Sequence, residues 1–313
     1  MKLLVTGGLG FIGSNFIKHM ITSYPDIEII NFDYRTYAAN DIEFPSNKVA
    51  NFTVDISDWT FLDLMADSLK FKNGDIDCVI NFAAETHVDN SIQNADKFIK
   101  SNIYGVYNLL KLVRNFNIKK FIQISTDEVY GSVKTKVCKE TANFKPSSPY
   151  SASKASAEML CMAYRKTYDL PIIITRACNN YGQFQHEEKF IPTVIRNALQ
   201  DKKIPLYGNG ENIREWLHVI DNCRAIEKVL LKGKIGEIYN VGSGERHQNI
   251  QMIEDILQLM GKSYDLVETV TDRAGHDLRY AIDSTKIKRL GWYPKIQLEE
   301  GLKETIEYYK GKI

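Results

Sequence analysis

The chain has 313 residues, 44% of them hydrophobic and 25% charged, and it balances 40 basic against 39 acidic side chains for a net charge of +1. This composition excludes a disordered chain, and the near-neutral balance excludes a global field that would recruit nucleic acid or an anionic membrane. No run approaches the ~20 apolar residues needed to span a bilayer, and five dispersed cysteines without Cys-x-x-Cys or zinc spacing point to a reduced, cytoplasmic, metal-free protein without structural disulfides.

The first strand is expected over 2–6, directly at the N-terminus, which leaves no room for a signal peptide. Gly7, Gly10 and Gly13 follow with Gly-x-x-Gly-x-x-Gly spacing, a variant of the dinucleotide fingerprint. Such glycines allow a tight turn, close approach of backbone to a pyrophosphate, and close packing of helix on strand. The next helix, near 12–23, would aim its positive N-terminal end at the phosphates. A second strand, 27–32, ends in Asp33, twenty residues after Gly13. A carboxylate there accepts bonds from a ribose hydroxyl and repels a 2′-phosphate, so NAD is expected rather than NADP; nearby Arg35 is the opposing feature.

Further strands are expected over 50–54, 77–82, 120–125 and 171–175, with helices near 58–69, 94–116 and 150–168. Strands and helices alternating at this spacing imply an α/β fold, a doubly wound parallel Rossmann sheet with right-handed crossovers. The strand at 120–125 runs into Thr126, Asp127 and Glu128. In such sheets ligands bind outside the carboxyl ends of the strands, and two adjacent carboxyl groups divide acid and base work if their environments separate their pKa values. Tyr150 lies four residues before Lys154, so on a helix the two share a face, and an ammonium near a phenol favours the phenolate. One base for alcohol oxidation and an acid/base pair for a second reaction are therefore expected in one site.

After Arg176 the character changes. Residues 178–214 are rich in Asn, Gly, Gln and charge around a helix at 192–200. Trp216–Val219, a helix over 221–231 and Tyr239–Val241 form a strand-helix-strand piece expected to return to the sheet. A helix near 249–260, a polar segment at 271–283 and an amphipathic helix near 298–310 close the chain. Residues 1–176, joined by the returning segment near 215–242, are expected to bind the dinucleotide, and 177–313 mainly to form a smaller substrate-binding lobe. The helices at 94–116 and 150–168 carry apolar residues beyond one ~100° stripe, so a second side is covered either by that lobe or by a second copy of the chain.

The glycine loop, Asn81–Asp89, Thr126-Asp127-Glu128, Ser148–Lys154, Asn179–Gly182, Glu188–Pro192, Tyr207–Gly210 and Asp272–Asp283 together resemble the extended short-chain dehydrogenase/reductases, and within them the dTDP-glucose 4,6-dehydratase family. The likeness runs over essentially the whole chain, and the Thr-Asp-Glu triplet is its specific part. It implies C4 oxidation of a sugar nucleotide through Tyr150 and Lys154, loss of water across C5 and C6 through Glu128 as base and Asp127 as acid, and return of the hydride to C6 from bound NAD. Thr126 would orient the 4-hydroxyl. By the same resemblance Phe11, Ile12, Asp33, Asp55, Ile56, Ala83 and Asn180 would line the cofactor, beside the three glycines. Thr86, Asn179, Lys189, Tyr207, Arg214, Asn249, Arg273 and His276 would hold the sugar nucleotide. A homodimer through the two apolar helices is implied as well.

Departures from the family pattern fall in the substrate half: Arg214-Glu215-Trp216 replaces Arg-Asp-Trp, Asn180-Tyr181-Gly182-Gln183 replaces Asn-Tyr-Gly-Pro, and Ala274 and Ala177-Cys178 replace Pro and Cys-Ser. They leave UDP-glucose and UDP-N-acetylglucosamine open beside dTDP-glucose. A sugar-nucleotide 4-epimerase and a non-catalytic NAD-binding sensor are the readings from other classes; the Asp127-Glu128 pair speaks against the first and the full catalytic set against the second.

Overall fold

Twelve strands are present in the structure, a computed structural model that describes residues 1–272 and 275–312. In chain order they are β1 (Lys2–Thr6), β2 (Glu28–Asp33), β3 (Val49–Thr53), β4 (Cys78–Asn81), β5 (Phe121–Thr126), β6 (Ile172–Ala177), β7 (Asn179–Tyr181), β8 (Ile204–Tyr207), β9 (Ile213–His218), β10 (Ile238–Val241), β11 (Arg246–Gln248) and β12 (Val267–Val270). Seven of them form a parallel sheet in the order β10-β6-β5-β4-β1-β2-β3. Every residue of β4, β5 and β6 is buried, as strands covered on both faces require. The order reverses beside β1, between β2 and β4, and there the crevice of a doubly wound sheet opens. The expected strands in 1–176 lie within a residue or two of those observed.

The helices are α1 (Phe11–Ser23), α2 (Trp59–Ser68), α3 (Val88–Gln93), α4 (Asp96–Phe98), α5 (Gly105–Asn115), α6 (Pro149–Tyr168), α7 (Phe190–Leu199), α8 (Val219–Lys232), α9 (Asn249–Met260), α10 (Thr285–Lys288) and α11 (Leu298–Lys310). On one face of the sheet Phe16, Ile17 and Met20 of α1 meet Cys223, Ile226 and Val229 of α8. On the other, Leu62 of α2, Leu109 and Leu112 of α5 and Ala157 and Cys161 of α6 close the second layer. A third core of α7, α9, α11, Leu206 and Trp216 lies beside them. Among the described residues no helix is long and apolar enough to cross a membrane.

Two expectations are corrected. The strand around Trp216 does not join the main sheet: β9 pairs with β7 and β11 in a separate three-stranded sheet, and only α8 and β10 return. The reason is visible in β9 itself, whose Arg214, Glu215 and His218 are buried with specific polar partners that a hydrophobic sheet interior would not supply. The helix expected over 94–116 is also broken. Asn94 is extended (φ −151°) and ends α3, and between α4 and α5 the chain widens into a π-helical turn, Ile99–Tyr104. That turn carries Asn102, whose amide accepts from the Glu85 N–H at 2.9 Å and donates to the Glu85 carbonyl at 3.0 Å and to Ser153 Oγ at 2.8 Å. Single π turns of this kind recur at functional sites.

Candidate active site

One cavity of about 750 Å³ lies along the carboxyl ends of β1, β2, β4 and β5. Its floor begins at the glycine loop. Gly7 has φ +71°, open to glycine at little cost, and a Cβ on Gly13 would stand 2.2 Å from the Gly7 carbonyl oxygen, so the turn tolerates no side chain there. Gly10 begins α1 without a side-chain cap, and no acidic residue sits in its first turn. The helix N-terminus with Phe11, Ile12 and Gly13 thus lines the cavity with its donors available to an anion.

Asp33 is buried at the end of β2, where its carboxylate accepts from Leu9 N–H and Arg35 N–H, both at 2.8 Å. Asp33 lines the cavity and Arg35, its side chain exposed, does not. Asp55, Ile56, Ala83 and Asn180 line it as well. Asn180 Oδ1 and Asn179 Oδ1 are buried acceptors without a hydrogen-bond partner. Unmet acceptors, an uncapped helix terminus and a glycine cradle fit a dinucleotide.

At the other end the cavity meets β5. Thr126 accepts the Glu128 N–H at 3.2 Å, starting the short 3-10 turn Asp127–Tyr130 that presents both carboxyl groups. Asp127 is 1% exposed, and one of its oxygens has no hydrogen-bond partner. Burial first, then the charges of Glu128 and Glu215, push its carboxyl well above the usual range; Arg214 and the Thr126 hydroxyl oppose this. Asp127 is therefore biased toward its protonated form beside Glu128, which is only half-buried. The separation of environments expected of an acid/base pair is present.

The start of α6 is fixed by a capping box between Ser148 and Ser151 with Pro149 in the first helical position, and Tyr150 N–H donates to Ser91 Oγ at 3.2 Å. Tyr150 and Lys154 both face the cavity. Lys154 Nζ donates to the Ile124 carbonyl at 2.7 Å, and burial lowers its pKa to about 8 against the pull of Glu158. Burial, then the charges of Glu128 and Asp127, raise Tyr150, with the Thr126 hydroxyl opposing by hydrogen bonding. In this arrangement burial and the two neighbouring carboxyl groups favour the protonated phenol.

Of the residues expected to hold the sugar nucleotide, Thr86, Asn179 and Lys189 line the same cavity, and Lys189 Nζ donates to the Thr86 carbonyl at 3.0 Å. Tyr207, Arg214, Asn249 and His276 lie outside its lining, on a contiguous shelf of the smaller lobe. Arg214 donates to the Asp277 carbonyl at 2.8 Å and lies over the Tyr280 ring, while Asn249 N–H reaches the Asn212 carbonyl at 3.0 Å. Near Tyr207, Asp272 approaches Gly208 and pairs with His276 at 2.6 Å. Arg273 lies outside the described residues. Glu85 lines the cavity, and Ser91 and Asn102 support it from behind through Tyr150, Glu85 and Ser153; sequence reasoning assigned none of the three a role in the site. Among the described residues no group of His, Cys, Asp or Glu could hold a metal ion.

The family model for GDP-mannose 4,6 dehydratase matches residues 4–305. The chain is 45% identical to the low-salt glycan biosynthesis protein Agl12 of Haloferax volcanii, over 99% of each chain. It is 43% identical to a dTDP-glucose 4,6-dehydratase of Haemophilus influenzae, over 99% of this chain and 98% of the other. The crystal structure of DesIV, a dTDP-glucose 4,6-dehydratase from Streptomyces venezuelae with NAD and TYD bound, superposes with a TM-score of 0.93 at 40% identity, over 99% of this chain and 97% of that one. The glycine cradle, the parallel sheet and these full-length matches place the chain in the GDP-mannose 4,6 dehydratase family, on the extended short-chain dehydrogenase/reductase fold.

Proposed function

We propose that the protein is an NAD-dependent hydro-lyase that converts dTDP-glucose, or a related nucleoside-diphosphate hexose, to its 4-keto-6-deoxy sugar nucleotide with release of one water. The observation that carries this is Asp127, a buried carboxyl group biased toward its protonated form and set beside Glu128 in the cavity that also holds Tyr150. An epimerase has no use for that pair, since it makes and breaks no bond at C5 or C6.

In this reading the glycines, Asp33, Asp55, Ile56, Ala83 and Asn180 hold NAD, and residues 1–176 with the returning α8–β10 segment form the cofactor-binding part. Bound there, NAD would supply a hydride acceptor for C4 and a hydride donor for C6, and its positive ring would favour the phenolate of Tyr150. Tyr150 takes the 4-hydroxyl proton, with Lys154 beside it and Thr126 orienting the hydroxyl. The 4-ketone acidifies C5–H; Glu128 removes that proton while Asp127 protonates the departing 6-hydroxyl. Glu128 then returns a proton to C5. The proton taken by Tyr150 balances the one given by Asp127 as water leaves, and loss of the first to solvent with uptake of another by Asp127 resets the side chains.

Thr86, Asn179, Lys189 and the shelf residues would hold the sugar nucleotide, with Arg214 suited to a diphosphate. The dTDP-glucose dehydratase relatives favour that substrate; UDP-glucose and UDP-N-acetylglucosamine are the alternatives. Five buried free cysteines suit a reducing cytoplasm, and the exposed apolar face of α5 and α6 suits a homodimer.

Incubation with dTDP-glucose, UDP-glucose and UDP-N-acetylglucosamine, followed by mass spectrometry in heavy water, tests the reading. One substrate should lose 18 mass units as water (about 18, before solvent deuterium enters at C5), and Glu128→Gln should lose C5–H exchange. A product of unchanged mass would mean epimerisation.

A further inference from the structure

Behind the acid/base pair lies a buried polar network at the β5–β6–β10 end of the sheet. Glu158, fully buried and one turn after Lys154 on α6, accepts Ser125 Oγ at 2.5 Å and meets Arg176 at 2.7 Å. Arg176, 1% exposed, donates through Nη1 to the Tyr130 hydroxyl at 2.7 Å and to the Glu140 carbonyl at 3.1 Å. Tyr130 in turn donates to Asn240 Oδ1 at 2.7 Å. Ser125, Arg176 and Asn240 are register partners across β5, β6 and β10, so their side chains share one face.

Ser125 and Tyr130 bracket Asp127 and Glu128. The segment that carries both carboxyl groups is thus held at its two ends by one buried ion pair, Ser125 through Glu158 and Tyr130 through Arg176. Lys154, on the same face of α6 as Glu158, fixes the preceding carbonyl of β5. A buried ion pair is weak support for stability, because desolvation offsets its attraction, and its best-attested use is to specify one arrangement. On the reading of Asp127 and Glu128 as acid and base, we propose that the Glu158–Arg176 pair is a positioning clamp that sets the bearing of both carboxyl groups toward C5 and C6 of the sugar.

The clamp is tested in the NAD-loaded enzyme with Tyr130→Phe and Ser125→Ala, each of which removes one hydroxyl and one end of the clamp. Formation of reduced cofactor on mixing with dTDP-glucose and the KM should stay within about twofold of wild type, while C5–H exchange and water loss fall at least tenfold (about 10²-fold for a ~1 Å misplacement). Reduced cofactor should then accumulate during turnover. A purely structural role would lower the melting temperature and slow oxidation and exchange together. Wild-type exchange in a folded variant, parallel loss of both half-reactions, or failure of both variants to fold overturns the proposal. Failure of the dehydratase reading itself shows separately, in the wild-type enzyme, as product that has lost no water.

Discussion

Asp127 and Glu128 are neighbours in sequence with opposite tasks, and burial is what separates them. Both line the cavity, but Asp127 is buried near Glu215 and Arg214 and is pushed toward its protonated form, whereas Glu128 is only half-buried. Asp127→Asn keeps the size and a hydrogen-bond donor but has no proton to transfer. Oxidation and C5–H exchange are expected to persist in it, while loss of the 6-hydroxyl slows by about 10²–10⁴-fold, as followed by product mass and solvent deuterium. Simultaneous loss of exchange would show that the two carboxyl groups act as one unit.

At the scale of elements, the junction of β9 and α8 shows how a buried titratable group shapes stability. His218 caps α8, its Nδ1 accepting the Ile220 N–H at 3.4 Å, and it is 1% exposed against Tyr181. Burial, then the charge of Arg224, lowers its pKa from 6.5 to about 4. The unfolded chain therefore binds more protons than the folded one between those values. Its contribution is present above pH ~6.5 and is lost as pH falls toward the folded value, up to about 3 kcal/mol. His218→Asn keeps a capping acceptor and removes the titration. Urea unfolding at pH 7 and pH 4.5 should show a smaller acid loss in the variant than in wild type; equal losses would assign the acid sensitivity to carboxylates elsewhere.

At the scale of the whole molecule, α5 with the π turn before it and α6 expose a shared apolar face. Tyr104 is 57% and Met159 51% exposed, and Tyr107, Met162 and Tyr168 continue the face. The smaller lobe does not cover it: its core is built from α7, α9 and α11. A second copy of the chain is the occupant that the expected homodimer requires. Met159→Glu would bury an unpaired charge there at a cost of several kcal/mol, so sedimentation should shift from dimer to monomer at micromolar concentration. A wild-type chain that sediments as a monomer would remove the dimer from the reading.

Much of this protein was legible in its residues because the signals are local. Apolar runs buried on both faces announce parallel strands, a glycine triplet at this spacing marks close approach of backbone to backbone or phosphate, and helix periodicity brings Tyr150 and Lys154 to one cavity. What tertiary structure decided depends on groups far apart in sequence. The separate sheet of β9, the π turn at Ile99–Tyr104 and the shelf that carries Arg214 outside the main cavity follow from partners more than sixty residues away or from packing no local pattern encodes. Protonation states belong to the same class. Lys154 follows Tyr150 by one helical turn in the sequence, but the direction in which the phenol is shifted is set by burial and by Glu128 and Asp127 packed around it.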